Sequence, residues 1–199
     1  MDMQKIGFAE AATAIIECGK RLCDRGLVAG NDGNISIRLS EEEVLLTPTG
    51  VSKGELCGQD LVVLDMAGKP LRGSRRVTSE WALHLQVYAN DSRQRCVLHA
   101  HSPFATAFAA AGESLPGDCR LAEVTECLGE IPLLPFAPPG SRELAQGIGR
   151  AAGLRRYSGA LLESHGPVVW GEDLRQALYR LEELELACKI EWLSRFLRR

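Results

Sequence analysis

Two histidines stand two residues apart at the end of an apolar run, in the segment 96–101 that reads CVLHAH. Because side chains of a β-strand alternate between its two faces, His99 and His101 are expected to project to the same side of a sheet. Neutral imidazole is the commonest metal ligand, and a catalytic zinc site has three protein ligands and an open position. The spacing therefore predicts a metal site, for which a third ligand must be found.

His165 is the candidate for that third ligand. It lies in the turn 163–167 (ESHGP) between two apolar stretches, where a side chain at a sheet edge could face the pair. The alternative for this residue is a hydrogen-bonded turn histidine, but the nearby pair favours a ligand. The fourth histidine of the chain, His84, is interpreted as a helix-face residue, because nothing next to it in the sequence would orient it.

Glu80 is the best candidate for an acid or base. A divalent metal on three imidazoles can activate water or polarise an oxygen of a carbon substrate, so a group that moves protons is needed beside it. In the segment 77–81 (VTSEW) a carboxylate falls in the first turn of a predicted helix next to two hydroxyl residues. The N–H groups of this turn could bind an anion, although an acidic residue is also common there for dipole reasons alone.

Two further turns could hold a phosphate. Residues 30–34 (GNDGN) and 47–50 (TPTG) are small turns whose backbone N–H groups could surround phosphate oxygens. The same residue types suit any tight turn, and Asp32 would repel a phosphate if it pointed inward. Taken alone, each of these turns is ambiguous.

The elements that position these residues follow from the hydrophobic periodicity. Helices are predicted over residues 4–25, 80–90 and 141–152, and from Asp173 to the C-terminus. Another short helix is predicted after residue 101, ending at residue 111. Strands or extended pieces are predicted over 34–38, 44–47, 61–64, 95–101 and 131–136, and a hairpin over 160–163 and 168–170. This order predicts an α/β fold, one domain over residues 1–199, with a central, largely antiparallel sheet flanked by helices.

The composition narrows the setting of this domain. The 199 residues carry a net charge of −3, and the 23 basic residues are dispersed, which makes nucleic acid an unexpected partner. The seven cysteines form no CxxC pair and are odd in number, which is typical of reduced thiols in a cytoplasmic protein. No signal segment or membrane span is expected, so we predict a cytoplasmic location.

In order along the chain, the motifs resemble those of the class II aldolase/adducin family. The resemblance covers nearly the whole sequence, on the segments 26–36 (GLVAGNDGNIS), 46–51 (LTPTGV), 78–81 (TSEW), 99–101 (HAH), 138–144 (PPGSREL) and 164–166 (SHG). It implies that family's three-layer fold. It also implies one Zn²⁺ per subunit, or another divalent metal, on His99, His101 and His165.

The resemblance further implies that six residues in the three turns bind a phosphate: Gly33, Asn34, Thr49, Gly50, Thr78 and Ser79. Two departures are mild: Thr78 stands where many members have a serine, and Asn31 where a threonine is frequent. Glu80 matches the aldolase-type members, whereas the similar epimerases have an aspartate at this position. The implied activity is therefore that of a zinc-dependent lyase. It would reversibly cleave a phosphorylated ketose, L-fuculose-1-phosphate-like or another deoxyketose 1-phosphate, to dihydroxyacetone phosphate and an aldehyde. Zinc would stabilise the enediolate while Glu80 moves the proton.

Several alternatives stay open on the same scaffold. The fuculose-phosphate aldolase has one tyrosine after the His-x-His helix and another on a C-terminal tail, both acting on the aldehyde half of the substrate. Neither has a counterpart here: residues 117–124 contain no tyrosine, and that tail is not present in this sequence. The aldehyde half is therefore undetermined. Related members dehydrate methylthioribulose 1-phosphate, decarboxylate sugar-acid phosphates or epimerise pentose phosphates. Adducin-like modules serve protein interaction and lack the metal triad. The resemblance also implies a homotetramer with active sites at subunit interfaces.

Overall fold

The computed structural model describes residues 5–115 and 122–197. Within these residues, eight strands form one sheet in the order β4-β3-β2-β1-β5-β8-β7-β6, and β6 and β7 are the one parallel pair. The strands are β1 Asn34–Arg38, β2 Glu43–Leu46, β3 Val62–Asp65, β4 Pro70–Arg72, β5 Cys96–His99, β6 Leu133–Leu134, β7 Gly159–Leu162 and β8 Gly166–Gly171. The helices are α1 Phe8–Asp24, α2 Trp81–Asn90, α3 Pro103–Ala110, α4 Ala122–Cys127, α5 Arg142–Gly153 and α6 Leu174–Leu197. The predicted α/β fold with a largely antiparallel sheet is confirmed.

Helices cover both faces of this sheet, which gives three layers. Alternate residues of the central strands enter different cores: in β2, Leu45 packs with the core of α1, α3 and α6, whereas Val44 and Leu46 pack with α2 and α5. This is the two-residue period expected of a strand that is buried on both faces. No helix among the described residues is long and apolar enough to cross a membrane.

The predicted elements agree with the structure to within a few residues, with local reasons for the best agreements. The helix α5 begins where expected because Ser141 caps it: its Oγ accepts a hydrogen bond of 3.1 Å from the N–H of Leu144. The sequence did not predict the edge strand β4, which is three exposed residues beginning at a proline. It also did not predict α4, or the 3-10 turns at Lys53–Glu55 and Gly58–Asp60.

The register of the central strands determines which residues meet at one end of the sheet. Asn34, the first residue of β1, is paired with His99, the last residue of β5, and His99 is also paired with Val168 of β8. Val168 belongs to the core beneath α2 and α5. Asn34 and His99 therefore lie side by side, close to the N-terminus of α2, where Glu80 stands.

Candidate metal centre

Three imidazole rings converge at this end of the sheet. The Nε2 atom of His99 lies 3.2 Å from Nε2 of His101 and 3.1 Å from Nε2 of His165, and one ligand atom from each ring lies within 4.8 Å of the others. Two nitrogens bound to one tetrahedral zinc at about 2.0–2.1 Å would be about 3.3 Å apart. The spacing of the three nitrogens therefore fits a single divalent ion.

The second nitrogen of two rings points away from this centre to an acceptor. Nδ1 of His99 lies 2.9 Å from the carbonyl oxygen of Pro167, and Nδ1 of His101 lies 3.3 Å from Oδ2 of Asp32. Nδ1 of His165 is buried and has no hydrogen-bond partner. An acceptor at Nδ1 fixes the tautomer that leaves Nε2 free to bind a metal. The Asp32 carboxylate thus faces an imidazole of the candidate metal site.

Burial holds two of the rings, those of His99 and His165, in their neutral form. Burial lowers the pKa of His99 from its usual 6.5 to about 3, and the neighbouring His101 lowers it further. Burial also lowers the pKa of His165 to about 4, with His99 adding to the effect. Because only neutral imidazole binds a metal, both rings are ready ligands near neutral pH.

A tight hairpin presents His165 to the other two rings. Ser164, between β7 and β8, has a φ of +57°, a backbone conformation that residues other than glycine rarely adopt. A Cβ atom at Gly166 would lie 2.7 Å from the carbonyl oxygen of Ala100, so only glycine fits where the hairpin passes the segment that carries His99 and His101. The backbone at this turn therefore depends on both neighbours of His165.

Glu80 lies against the three rings. It is the N-cap residue of α2, but its side chain makes no capping hydrogen bond and points instead into the site. Its Oε2 lies 3.4 Å from Nε2 of His99, and its Oε1 lies 3.6 Å from Nε2 of His165. Oε1 is buried and has no hydrogen-bond partner, an unfavourable state for a carboxylate oxygen. A metal or a substrate group at the centre would satisfy it.

His84 lies on α2 and outside the group of three histidines, as the sequence suggested, but the expectation that nothing orients it was wrong. Its ring is fully buried between α2 and β1. Its Nε2 is 2.5 Å from Oδ1 of Asn34, and its Nδ1 is 2.7 Å from Oγ of Ser36. Asn34 in turn donates from Nδ2 to Oε2 of Glu80 over 2.9 Å. Asn34 thus links His84 to the site. Both hydrogen-bond partners of the His84 ring come from β1, about 50 positions earlier in the sequence.

The three small turns approach one another around Glu80. The N–H of Thr78 donates to the carbonyl of Thr47 over 3.2 Å, and the N–H of Glu80 donates to Oγ1 of Thr78 over 3.3 Å. Gly33 has a φ of +74°, and a Cβ atom there would lie 2.7 Å from the carbonyl oxygen of His99. The turns that carry the predicted phosphate residues therefore contact one another and the strand that ends at His99. Three of those residues are exposed to solvent beside the buried Glu80: Thr49, Gly50 and Ser79.

A buried lysine that the sequence did not single out connects two of these turns. Lys53 is 1% exposed, and its Nζ donates to the carbonyl oxygens of Asn31, over 2.9 Å, and of Val51, over 2.8 Å. Burial lowers the pKa of this lysine. Its position in a 3-10 turn leaves no periodic signal in the sequence.

The segment 117–124, in which a tyrosine of the fuculose-phosphate aldolase has no counterpart, is described only in part. Its residues 117–121 lie outside the described part of the chain.

Comparison with known proteins identifies a family and several relatives. The family model for the class II aldolase and adducin N-terminal domain matches residues 13–192. A methylthioribulose-1-phosphate dehydratase of Granulibacter bethesdensis is 37% identical, over 91% of this chain and 91% of the relative. A 3-oxo-tetronate 4-phosphate decarboxylase of Pectobacterium atrosepticum is 32% identical, over 90% of this chain and 83% of the relative.

An aldolase appears among the relatives and among the solved structures. An L-fuculose phosphate aldolase of Methanococcus maripaludis is 32% identical, over 91% of this chain and 96% of the relative. A solved L-fuculose 1-phosphate aldolase superposes with a TM-score of 0.87 at 28% identity, covering 96% of this chain and 89% of that structure. Three different reactions are thus named among similar proteins.

Proposed function

The chain belongs to the class II aldolase and adducin family, and from this premise we propose that it is a zinc-dependent lyase that cleaves a phosphorylated ketose. The products would be dihydroxyacetone phosphate and an aldehyde, with an L-fuculose-1-phosphate-like or other deoxyketose 1-phosphate as substrate. The observation that supports this most strongly is the contact of Glu80 with two of the three converging imidazoles, at 3.4 Å and 3.6 Å.

The donor set suits zinc, one ion per subunit, although another divalent metal would fit the same three nitrogens. His99, His101 and His165 would hold it, and Asp32 and the carbonyl of Pro167 would orient two of these rings. When bound, the ion supplies a Lewis acid that stabilises negative charge on a substrate oxygen. Three protein ligands leave an open position for that oxygen, as catalytic zinc sites require.

Glu80 would move the proton. In the cleavage direction Glu80 would take the proton of the hydroxyl next to the scissile bond, the carbon–carbon bond would break, and the electron pair would pass into the ketone half as an enediolate. Glu80 would then give a proton to the carbon that has lost its partner, which releases dihydroxyacetone phosphate. Oε1 is suited to this because it has no hydrogen-bond partner within the chain, whereas Oε2 is held by Asn34.

The phosphate is proposed to lie against the three turns beside Glu80. Their backbone N–H groups and hydroxyls are the donors that such an anion requires, and Lys53 holds two of the turns together. The residues assigned to this role are Gly33, Asn34, Thr49, Gly50, Thr78 and Ser79.

A second candidate is dehydration or decarboxylation of a sugar phosphate at the same centre. The dehydratase and decarboxylase among the relatives favour it, as does the lack of a tyrosine in residues 117–124. Both reactions also develop charge next to a carbonyl, so His99, His101, His165 and Glu80 would keep their roles. Pentose-phosphate epimerisation would use the same three histidines, but Glu80 does not match the aspartate of the similar epimerases. An adducin-like interaction role would leave the three converging imidazoles without a purpose.

We also propose a cytoplasmic homotetramer whose active sites lie at subunit interfaces. Support comes from the end of α6, where three large apolar side chains, Trp192, Leu193 and Phe196, are each about half exposed. Exposed apolar groups that lie together are typical of surfaces covered by another chain. Sedimentation of the purified protein would measure the oligomeric state.

The experiment that tests the function is a panel of substrates with the zinc-loaded protein. Ketose 1-phosphates are assayed for dihydroxyacetone phosphate, methylthioribulose 1-phosphate for dehydration, and 3-oxo-tetronate 4-phosphate for carbon dioxide. We expect Glu80→Gln to lose on the order of 10²–10⁴ in kcat on the substrate that is turned over. Glu42→Gln is the matched control, because Glu42 is an exposed carboxylate in the β1–β2 turn, at the opposite end of β1 from Asn34.

Each result has a defined meaning. Release of dihydroxyacetone phosphate supports the aldolase. A dehydration product or carbon dioxide without it replaces the aldolase by the second candidate. Full activity of Glu80→Gln, with metal content equal to that of the wild type, would refute the proton transfer.

A further inference from the structure

Five buried polar side chains form one continuous series that starts at Tyr88 and ends at the candidate metal centre. The hydroxyl of Tyr88 lies 2.6 Å from Oγ of Ser36, which lies 2.7 Å from Nδ1 of His84. Nε2 of His84 meets Oδ1 of Asn34, and Nδ2 of Asn34 donates to Glu80. All five residues are at most 6% exposed. Two elements supply the series: β1, with its face toward α2, and α2 itself.

The direction of every hydrogen bond in this series follows from its two ends. The amide nitrogen of Asn34 donates to Oε2 of Glu80, so the amide oxygen of Asn34 faces His84. Nε2 of His84 must then carry the hydrogen, which leaves Nδ1 to accept from the hydroxyl of Ser36. Ser36 in turn accepts from Tyr88. Reversing the Asn34 amide would place its oxygen against a carboxylate oxygen and its NH₂ against an N–H group.

We propose that His84 is a positioning residue for Glu80, and that it acts by fixing the orientation of the Asn34 amide. This inference rests on the proposed role of Glu80 in proton transfer. With Oε2 of Glu80 held by Asn34, Oε1 alone remains free toward His165. His84 thereby determines which carboxylate oxygen faces the reacting carbon. Its ring nitrogens meet Asn34 and Ser36, and it carries no proton to Glu80, because the amide of Asn34 cannot pass one on.

The chain offers a matched pair of substitutions that separates the two ring nitrogens of His84. In His84→Gln the side-chain amide reaches the place of Nε2 and can still donate to Asn34, but the acceptor for Ser36 is lost. In His84→Asn the amide reaches only the place of Nδ1, so the contact with Ser36 can form while the donor to Asn34 is lost. Both replacements are polar and uncharged, and asparagine is smaller by one methylene, so a merely structural role would lower the stability of His84→Asn more without lowering kcat of the folded protein.

The kinetic measurement uses the substrate that the zinc-loaded wild type turns over. We expect His84→Asn to lower kcat by about 10–100-fold, because a small displacement of a catalytic group is costly, while KM changes by less than about twofold. His84→Gln should restore kcat to within about threefold of the wild type. Metal content is measured for each protein and should be equal. A similar loss of kcat in both variants, or no loss in His84→Asn, would overturn the proposal.

A second measurement needs no substrate and therefore separates this inference from the proposed function. In protein labelled with ¹⁵N at asparagine, the side-chain NH₂ of Asn34 should be protected from solvent exchange in the wild type and in His84→Gln. In His84→Asn its exchange should be at least about tenfold faster. Equal exchange in all three proteins would overturn the role of His84 even if a substrate is found. If no sugar phosphate is turned over, the proposed function fails and the exchange data alone decide for or against His84.

Discussion

Acid should destabilise the metal-free protein partly through His84, and the size of this effect follows from its burial. Burial lowers the pKa of His84 from 6.5 to about 3, with a smaller contribution from His99, whereas the unfolded chain keeps the usual value. Between these two pKa values the unfolded state binds a proton that the folded state does not, so the free energy of unfolding falls as the pH falls. The stabilisation is fully present above pH 6.5 and is lost progressively toward pH 3.

The magnitude can be worked out for two convenient pH values. At pH 5.5, one unit below the unfolded pKa, protonation stabilises the unfolded chain by RT ln 11, about 1.4 kcal/mol, and at pH 7.5 by less than about 0.1 kcal/mol. A folded pKa anywhere below about 4.5 changes this figure by less than about 0.1 kcal/mol, because the folded ring stays neutral at pH 5.5. His84 alone should therefore remove about 1.4 kcal/mol of stability between the two pH values.

Urea unfolding of the metal-free protein measures this contribution. The free energy of unfolding is determined at pH 7.5 and pH 5.5 for the wild type and for His84→Gln, at one protein concentration. The loss on acidification should be smaller by about 1.4 kcal/mol in the variant, since the other histidines contribute equally to both proteins. Tyr88→Phe is the control, because it removes a hydroxyl from the same buried series and leaves His84 in place. An equal loss in the wild type and His84→Gln would refute a neutral, buried His84.

Two further predictions concern residues that support the site. Asp32→Asn should weaken zinc binding about tenfold or more, because its carboxylate lies 3.3 Å from Nδ1 of His101 and orients that ring; competition with a chelator measures this, and unchanged affinity would contradict it. Lys53→Met should lower the free energy of unfolding by about 2 kcal/mol, because the carbonyls of Asn31 and Val51 lose their buried donor. Urea unfolding at pH 7.5 measures the second effect, and a variant as stable as the wild type would count against it.

The sequence predicted most of the fold because its signals there are local. Strand β1 was predicted with its observed ends, Asn34–Arg38, from five alternating residues, and the cap at Ser141 marked the start of α5. The edge strand β4 has no such signal, since its residues are exposed on both faces and begin with a proline. Local patterns therefore predict helices and strands that are buried in the core or begin at a capping residue. They fail for an exposed edge strand, which is recognisable only by its hydrogen bonds to the neighbouring strand.

The site was predictable to the extent that residue type alone indicates chemistry. His99, His101 and His165 were selected because imidazole binds metal, and the structure brings them together. His84 was misjudged because its partners come from β1, with Ser36 lying 48 positions earlier in the chain. The role of Asp32 depends on how one turn folds back on His101, which no spacing reveals. What sequence reasoning missed are the supporting contacts, which depend on how β1 pairs with β5 and packs on α2.

The charges of the site explain why its supporting contacts are neutral. The buried imidazoles of His99 and His165 bring no charge near pH 7, so the charges at the centre would be those of a bound divalent ion and of the carboxylates of Glu80 and Asp32. A lysine or arginine in the place of His84 could hold Asn34 equally well, but it would add a buried cation close to Glu80, at a large desolvation cost. A neutral imidazole between Ser36 and Asn34 fixes the position of the Glu80 carboxylate without neutralising its negative charge, which can then interact with the metal and the substrate.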